Sequence, residues 1–240
     1  IAIIATERAL QPHLPPFEYL KSKCIKLNVG DDIDLTELSL KLSECGYIKN
    51  NNIDQEGTWS RRGDILDIYP VSSELPIRLE LFGNTLEKIK EFDPISQRSL
   101  DKIENICITP TGFDPLIIDR LLTIKDKDIS KLFTEDEYSQ LINSHSLSSA
   151  KKYLGVAFDK PSSILNYIDK KTFIVVDERF QGKIHGNAWH KLVSESYNDA
   201  IGKSNENKIT QEIYKPNLHH NVDYIFDYLN NFRGIDTTDL

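Results

Sequence analysis

The apolar positions along this chain switch between a spacing of two and a spacing of three to four, and the switches predict its elements. Ile1–Ala5 is an unbroken apolar run that predicts a strand; Thr6–Leu10 predicts a short helix, stopped by Pro12, Pro15 and Pro16. Cys24–Val29 predicts a second strand, ended by Gly30-Asp31-Asp32. Leu35, Leu38, Leu42 and Cys45 lie at helical spacing, with Asp34 and Glu37 as a capping-box-like start and Gly46 as the stop. From Gly57 the period falls to two. Strands are predicted around Trp59, over Asp64–Tyr69 before Pro70, and over Arg78–Phe82 and Leu86–Phe92 about Gly83-Asn84, a two-residue hairpin signal for a type I′ or II′ turn. Leu86, Ile89 and Phe92 break the alternation, which predicts a bulge or an early end of the strand. Ile103–Thr109 reads as one further strand.

Beyond Asp114 the helical period returns. Leu116–Leu122 and Asp128–Phe133 are short helical pieces, and Thr134 with Glu137 makes a capping box for a helix with Tyr138, Leu141 and Ile142 inward. Ser162 or Ser163 caps a short helix through Tyr167. Thr172–Val176 is continuous and β-branched, which predicts a strand buried on both faces. Asn187–Ile201 predicts a helix with Trp189, Leu192, Val193, Tyr197 and Ile201 on one face, stopped by Gly202 and followed by a polar loop to Gln211. Val222–Phe232 predicts a final amphipathic helix ended by Gly234. The fold class is α/β of the α+β kind: a small, mostly antiparallel sheet domain with a helix, followed by a helical and α/β region. The parts divide at residues 1–29, 30–113 and 114–240.

One predicted strand stands apart. In Pro76–Phe82, alternation puts Ile77, Leu79 and Leu81 on one face and Arg78, Glu80 and Phe82 on the other. The first set is a core face. The second is an Arg, a Glu and a large aromatic ring in a row, and Arg and aromatic side chains dominate protein-binding hot spots. The residues alone leave two readings: a binding face that includes the nearby Arg61-Arg62 pair, or a solvated face in which Arg78 pairs with Glu80 and Phe82 tucks under a neighbouring element.

Composition removes other classes. Of 240 residues, 29 are Lys or Arg and 37 are Asp or Glu, a formal charge of −8 that gives nucleic-acid binding no support. No apolar run approaches the roughly 18 residues of a membrane span. Cys24, Cys45 and Cys107 form no close pair, which fits reduced cytoplasmic thiols and argues against a disulfide framework or zinc. His185 with His190, and His219-His220, lack the spacing that aligns two imidazoles on a helix. Gly202-Lys203-Ser204 follows a helix and has Tyr197 where a phosphate loop needs its first glycine. Asp177-Glu178 has the form of a Walker B end, but without that loop nothing presents a nucleotide to it. No nucleophile motif is present, so neither catalysis, a cofactor nor a metal is expected. The absence of Met and the apolar opening lead to the expectation of a piece of a longer protein, with Ile1–Ala5 a strand whose partners lie upstream.

Gly57–Pro70 (GTWSRRGDILDIYP), Pro76–Asn84 (PIRLELFGN) and Ile89–Ser99 (IKEFDPISQRS) resemble the signature of a bacterial domain that binds UvrA. It is shared by UvrB, the nucleotide-excision-repair helicase subunit, and by the transcription-repair coupling factor family. Ala2–Pro16 resembles the last part of the preceding family domain 1a and Phe158–Glu178 the following domain 1b, so the resemblance implies a 1a-like end at residues 1–29, domain 2 at 30–113 and a 1b-like region at 114–240. The ending Gln97-Arg98-Ser99, the departure of Asp177-Glu178-Arg179-Phe180 from the Asp-Glu-Ser-His box of a working motor, and the divergent helical segment favour the coupling-factor form over UvrB. The resemblance implies a non-catalytic, cytoplasmic adaptor that brings UvrA to lesion-stalled RNA polymerase, cut from an ATP-dependent DNA translocase. It places the UvrA contacts on Arg62, Arg78 and Phe82, with RNA polymerase and DNA bound by other domains and the UvrA face masked in the intact protein. The alternatives are a piece of UvrB, or a DNA-binding module.

Overall fold

A computed structural model of the chain describes residues 2–124, 129–203 and 218–238. The elements run α1 (Glu7–Leu10), α2 (Phe17–Lys23), β1 (Ile25–Asn28), α3 (Leu35–Glu44), β2 (Ile48–Lys49), β3 (Thr58–Arg62), β4 (Ile65–Tyr69), β5 (Ile77–Phe82), β6 (Thr85–Phe92), β7 (Ser99–Ile103), β8 (Asn105–Ile108) and α4 (Asp114–Thr123). They continue with α5 (Glu135–Ser144), α6 (Leu154–Ala157), β9 (Phe173–Asp177), α7 (Arg179–Lys203), α8 (Val222–Leu229) and β10 (Arg233–Thr237). The chain divides into two units, Glu18–Asp119 and Ile1–Phe17 with Arg120–Leu240. The α+β class is that read from the pattern.

The first unit is built on a six-stranded sheet in the order β2-β3-β4-β5-β6-β7, antiparallel except for β2 beside β3. One face carries Trp59, Leu66, Ile68, Ile77, Leu79, Leu81, Leu86 and Ile89, which form one core with Leu35, Leu38 and Leu42 of α3 and with Leu27 and Ile108 of the β1-β8 pair. Each such aliphatic side chain contributes about 1.5–3 kcal/mol on burial. The Asp34 side chain accepts from the Thr36 and Glu37 amides at 2.7 and 3.2 Å, satisfying the open donors that start α3. Gly46 then ends it at φ +89°, where an added Cβ would collide with Pro115 and Thr111. Gly83, at φ +61°, alone of its turn has a positive φ, so the hairpin is of type II′. Of the two expected outcomes the bulge is present: the β5-β6 register shifts between Glu80 and Leu81, which brings both Leu86 and Ile89 to the core face, and β6 continues to Phe92. Ile103–Thr109 is not one strand. The chain breaks at Glu104, β7 closes the large sheet and β8 pairs with β1 instead.

In the second unit several expectations are corrected. Residues 2–6 form no strand, and Ile3 and Ile4 are exposed. The capping box at Thr134 and Glu137 opens α5 as read, but only Leu141 is buried while Tyr138 and Ile142 face water. Ser163 caps a 3-10 turn over Ile164–Asn166. The β9 strand is covered on one face only, since Phe173 and Val175 are exposed, and its parallel neighbour is β10, which Gly234 enters rather than ending a helix. The α7 helix starts at Arg179 and passes through Gly202, and Leu192 on it is exposed. The polar stretch after Lys203 lies outside the described residues. The amphipathic α8 buries Val222, Ile225, Phe226 and Leu229, as its spacing requires. Among the described residues no helix is long and apolar enough to cross a membrane.

The N-terminal segment of this unit is fastened along a histidine seam. The His13 and His220 amides donate to the Leu218 and Gln11 carbonyls at 2.8 and 2.7 Å, and the His13 and His220 rings meet edge to face at 4.2 Å. His219 packs on Trp189 and His220 stacks on Tyr224. These are not surface histidines. Burial lowers the pKa of His219, helped by nearby His190 and His220, and burial lowers that of His220 against a hydrogen bond with Ser162. The unfolded chain therefore takes up protons first as pH falls, so stability is complete above about pH 6.5 and declines below it. Calorimetry is expected to find this unit melting several degrees lower at about pH 5.5 than at about pH 7.5, with a flatter dependence in the His219→Asn, His220→Asn double variant.

Candidate protein-binding face

The face of the six-stranded sheet turned away from α3 follows from register. Thr58, Ser60 and Arg62 of β3 stand opposite Tyr69, Asp67 and Ile65 of β4; Asp67 and Ile65 stand opposite Arg78 and Glu80 of β5; Arg78 and Glu80 stand opposite Lys90 and Lys88 of β6. Phe82 shares this face two residues beyond Glu80. All three sequence-predicted residues, Arg62, Arg78 and Phe82, are therefore on one side of one sheet. Arg61 points to the other side, where its Nη1 donates to Thr36 Oγ1 at 3.4 Å and its Nε to the Gly63 carbonyl.

The face has two halves. At one end Thr58, Ser60, Asp67 and Phe92 are buried. Segments from β2–β3 and β6–β7 roof them: the Thr58 hydroxyl donates to the Gln55 carbonyl, and Gln97 donates to the carbonyls of Ile53 and Pro94. The Asp93 side chain accepts from the Ile95 and Ser96 amides and fixes the second segment; these hydrogen bonds hold its carboxyl below the usual range. At the other end Arg62, Ile65, Phe82 and Lys88 are open, and Phe82 is 77% exposed. Phe82 does not tuck under a neighbouring element.

Arg78 lies in the roofed half. Its Nε and Nη2 donate to the two carboxylate oxygens of Asp67 at 2.7 and 2.9 Å, and its guanidinium lies 4.8 Å from the centre of the Phe92 ring. The Asp67 side chain is 6% exposed and that of Arg78 19%. Hydrogen bonds to Asp67 raise the pKa of Arg78 against the opposing effect of burial. Asp67 leaves the Nη1 end of the fork unclaimed, and Nη1 reaches the Gln97 carbonyl only at 3.5 Å. Glu80 is not the partner of Arg78: it accepts from Lys90 Nζ at 2.6 Å. The pairing of Arg78 follows from strand register, because Asp67 is directly opposite on β4 whereas Glu80 is two residues along the same strand. Arg62 has a lighter hold, one donation from Nη2 to the Asn51 carbonyl at 3.1 Å. The sequence reading missed Asp67 and Ile65; the alternation of Ile65-Leu66-Asp67-Ile68 held the signal, but only the register matches them to partners.

Other candidates gather no chemistry. Cys24, Cys45 and Cys107 are drawn together around β1: burial, then nearby Cys107, raises the Cys24 thiol, and burial pushes Cys45 up to about 11, so neither is an activated thiolate. A cleft of about 590 Å³ beside them is lined by Lys23, Lys26 and Lys41 and by a larger number of carboxylates, among them Asp31, Asp32, Glu37 and Glu44, with no thiolate to act on a ligand. Gly202 and Lys203 end α7, not a strand-to-helix turn, and Ser204 lies outside the described residues. Asp177 accepts from the Thr237 hydroxyl at 2.6 Å. Among the described residues no three His, Cys, Asp or Glu side chains are placed to hold a metal.

Comparison with known proteins agrees on this unit. Residues 25–112 match the family model described as the UvrB interaction domain. The transcription-repair-coupling factor of Bacillus subtilis (strain 168) is 31% identical over 196 residues, 73% of this chain and 16% of that protein. The factor of Staphylococcus haemolyticus (strain JCSC1435) is 30% identical over 187 residues, 70% of this chain and 16% of its own. That of Staphylococcus aureus (strain MRSA252) is 28% identical over 220 residues, 81% and 19%. The chain thus spans less than a fifth of the length of these relatives.

Removing one partner of the Asp67–Arg78 pair strands the other in a site poor in water. Asp67→Ala is expected to cost about 3 kcal/mol in urea unfolding. Glu80→Ala, at the more open pair, is expected to cost under about 1 kcal/mol.

Proposed function

We propose, from the premise that this chain is related to part of the transcription-repair coupling factors and carries their UvrB interaction domain at residues 25–112, that it is a non-catalytic adaptor that binds UvrA. The outer face of the six-stranded sheet is the docking surface, with Arg62, Arg78 and Phe82 as contacts. The observation that carries this is Phe82: a large ring, 77% exposed, on the same face as two guanidinium groups. An apolar anchor of this kind gains most when a partner removes it from water. Arg62 and the Nη1 end of Arg78 offer planar donors that match partner carboxylates, which Lys does not reproduce.

In the longer protein, this adaptor recruits nucleotide excision repair to RNA polymerase stalled at a lesion, with polymerase and DNA engaged by other domains and the UvrA face masked until then. On the same reading residues 1–29 are the end of a 1a-like domain, 30–113 the UvrA-binding domain and 114–240 a 1b-like region, in a cytoplasmic protein. The named relatives favour a coupling factor over UvrB as the parent, and a net charge of −8 gives no support to a DNA-binding module.

Phe82→Ala is the cleaner test than Arg78→Ala, because Phe82 lies outside the core and Arg78 is built into the fold. Calorimetric titration with UvrA is expected to find Phe82→Ala weaker by about 2 kcal/mol with an unchanged melting temperature. Binding equal to that of the parent chain would overturn the assignment.

A further inference from the structure

We infer that Ile65, which is not among the contacts placed on Arg62, Arg78 and Phe82, is a second apolar contact for the partner that docks on Phe82. The inference rests on the UvrA-docking reading above and extends its site. Ile65 faces outward while its neighbours Leu66 and Ile68 are fully buried on the core side, so the core has no use for it. It is 39% exposed and lies in the half of the face that the roofing segments leave open.

Register makes it part of one surface. Ile65 stands directly opposite Arg62 on β3 and directly opposite Glu80 on β5. Phe82, two residues from Glu80 on the same face, is its diagonal neighbour, and a diagonal pair across antiparallel strands is within reach of an aromatic side chain. The two exposed apolar groups are flanked by Arg62 on one side and by the Glu80–Lys90 pair and Lys88 on the other. That is the plan of an interface hot spot: a small apolar centre that a partner desolvates, ringed by polar groups that exclude water from it. The complementary surface on the partner has an apolar projection that fits over Ile65 and Phe82, with a carboxylate beside it placed for Arg62.

The test uses the whole 240-residue chain, titrated with UvrA, in the variants Ile65→Ser, Ile65→Leu and Phe82→Ala. Ile65→Ser is expected to lose about tenfold or more in affinity, and Ile65→Leu to stay within about threefold, since apolar area rather than shape is the requirement. Melting temperatures are expected to match the parent's, because the side chain lies outside the core. Parent-like affinity in Ile65→Ser alongside weakened Phe82→Ala would overturn the role of Ile65 and leave the docking face standing. A loss in Ile65→Ser that only follows a fall in melting temperature would likewise overturn it. Failure of the parent chain itself to bind UvrA would overturn both readings.

Discussion

Asp67 is a carboxylate taken almost wholly out of water in the middle of a sheet, and the outer face is organised around keeping it paired. An ion in that position costs several kcal/mol unless its charge and its lone pairs are matched. The β4-β5 register supplies Arg78 directly opposite, the planar fork meets both carboxylate oxygens, and the Phe92 ring closes the other side of the guanidinium. Gln97 and the segment after Phe92 then complete the cover. Such a pair gives little net stability over an apolar substitute, but it penalises any register that separates its partners.

The consequence is a face with unequal halves. Where the pair sits, the sheet is roofed and its polar groups are satisfied internally. Beyond it, Arg62, Ile65 and Phe82 are left to solvent on rigid strands, so a partner meets side chains whose backbone positions are fixed by the ladder. Little ordering of backbone is then required on binding. Arg78 stands in the roofed half, anchored on Asp67 at one edge of its guanidinium and more loosely held at the other, where Nη1 reaches the Gln97 carbonyl at 3.5 Å. On the docking reading proposed above, its loss would act on folding and on recognition together, and an alanine variant there would report their sum.

How legible was this in the sequence? Alternation in Ile77–Phe82 put Arg78, Glu80 and Phe82 on one face, and the broken period of Leu86, Ile89 and Phe92 announced the bulge. The cap at Asp34 and the turn at Gly83-Asn84 were equally direct, because each depends on one or two residues whose backbone chemistry admits few alternatives. Ile1–Ala5 and Thr172–Val176 were read less well. An apolar run records what a segment is able to bury, not whether a neighbour covers it, and here Ile3, Ile4, Phe173 and Val175 are exposed. Gly202 and Gly234 misled for a related reason: glycine permits a stop without requiring one, and α7 runs through the first while pairing with β9 takes a strand through the second.

By itself the sequence determined the α+β class, the orientation of side chains within each strand and the capped ends of α3 and α5, all of which depend on neighbours a few residues apart. Tertiary structure alone decided which charges meet. Arg78 takes Asp67, eleven residues earlier, in place of Glu80, two residues later, because residues i and i+2 of a strand share a face without touching while residues opposite on paired strands lie in contact. The same rule joins Ile65 to the surface of Arg62 and Phe82. Local spacing fixes the face on which a residue stands; strand pairing fixes its neighbours there, and recognition depends on both.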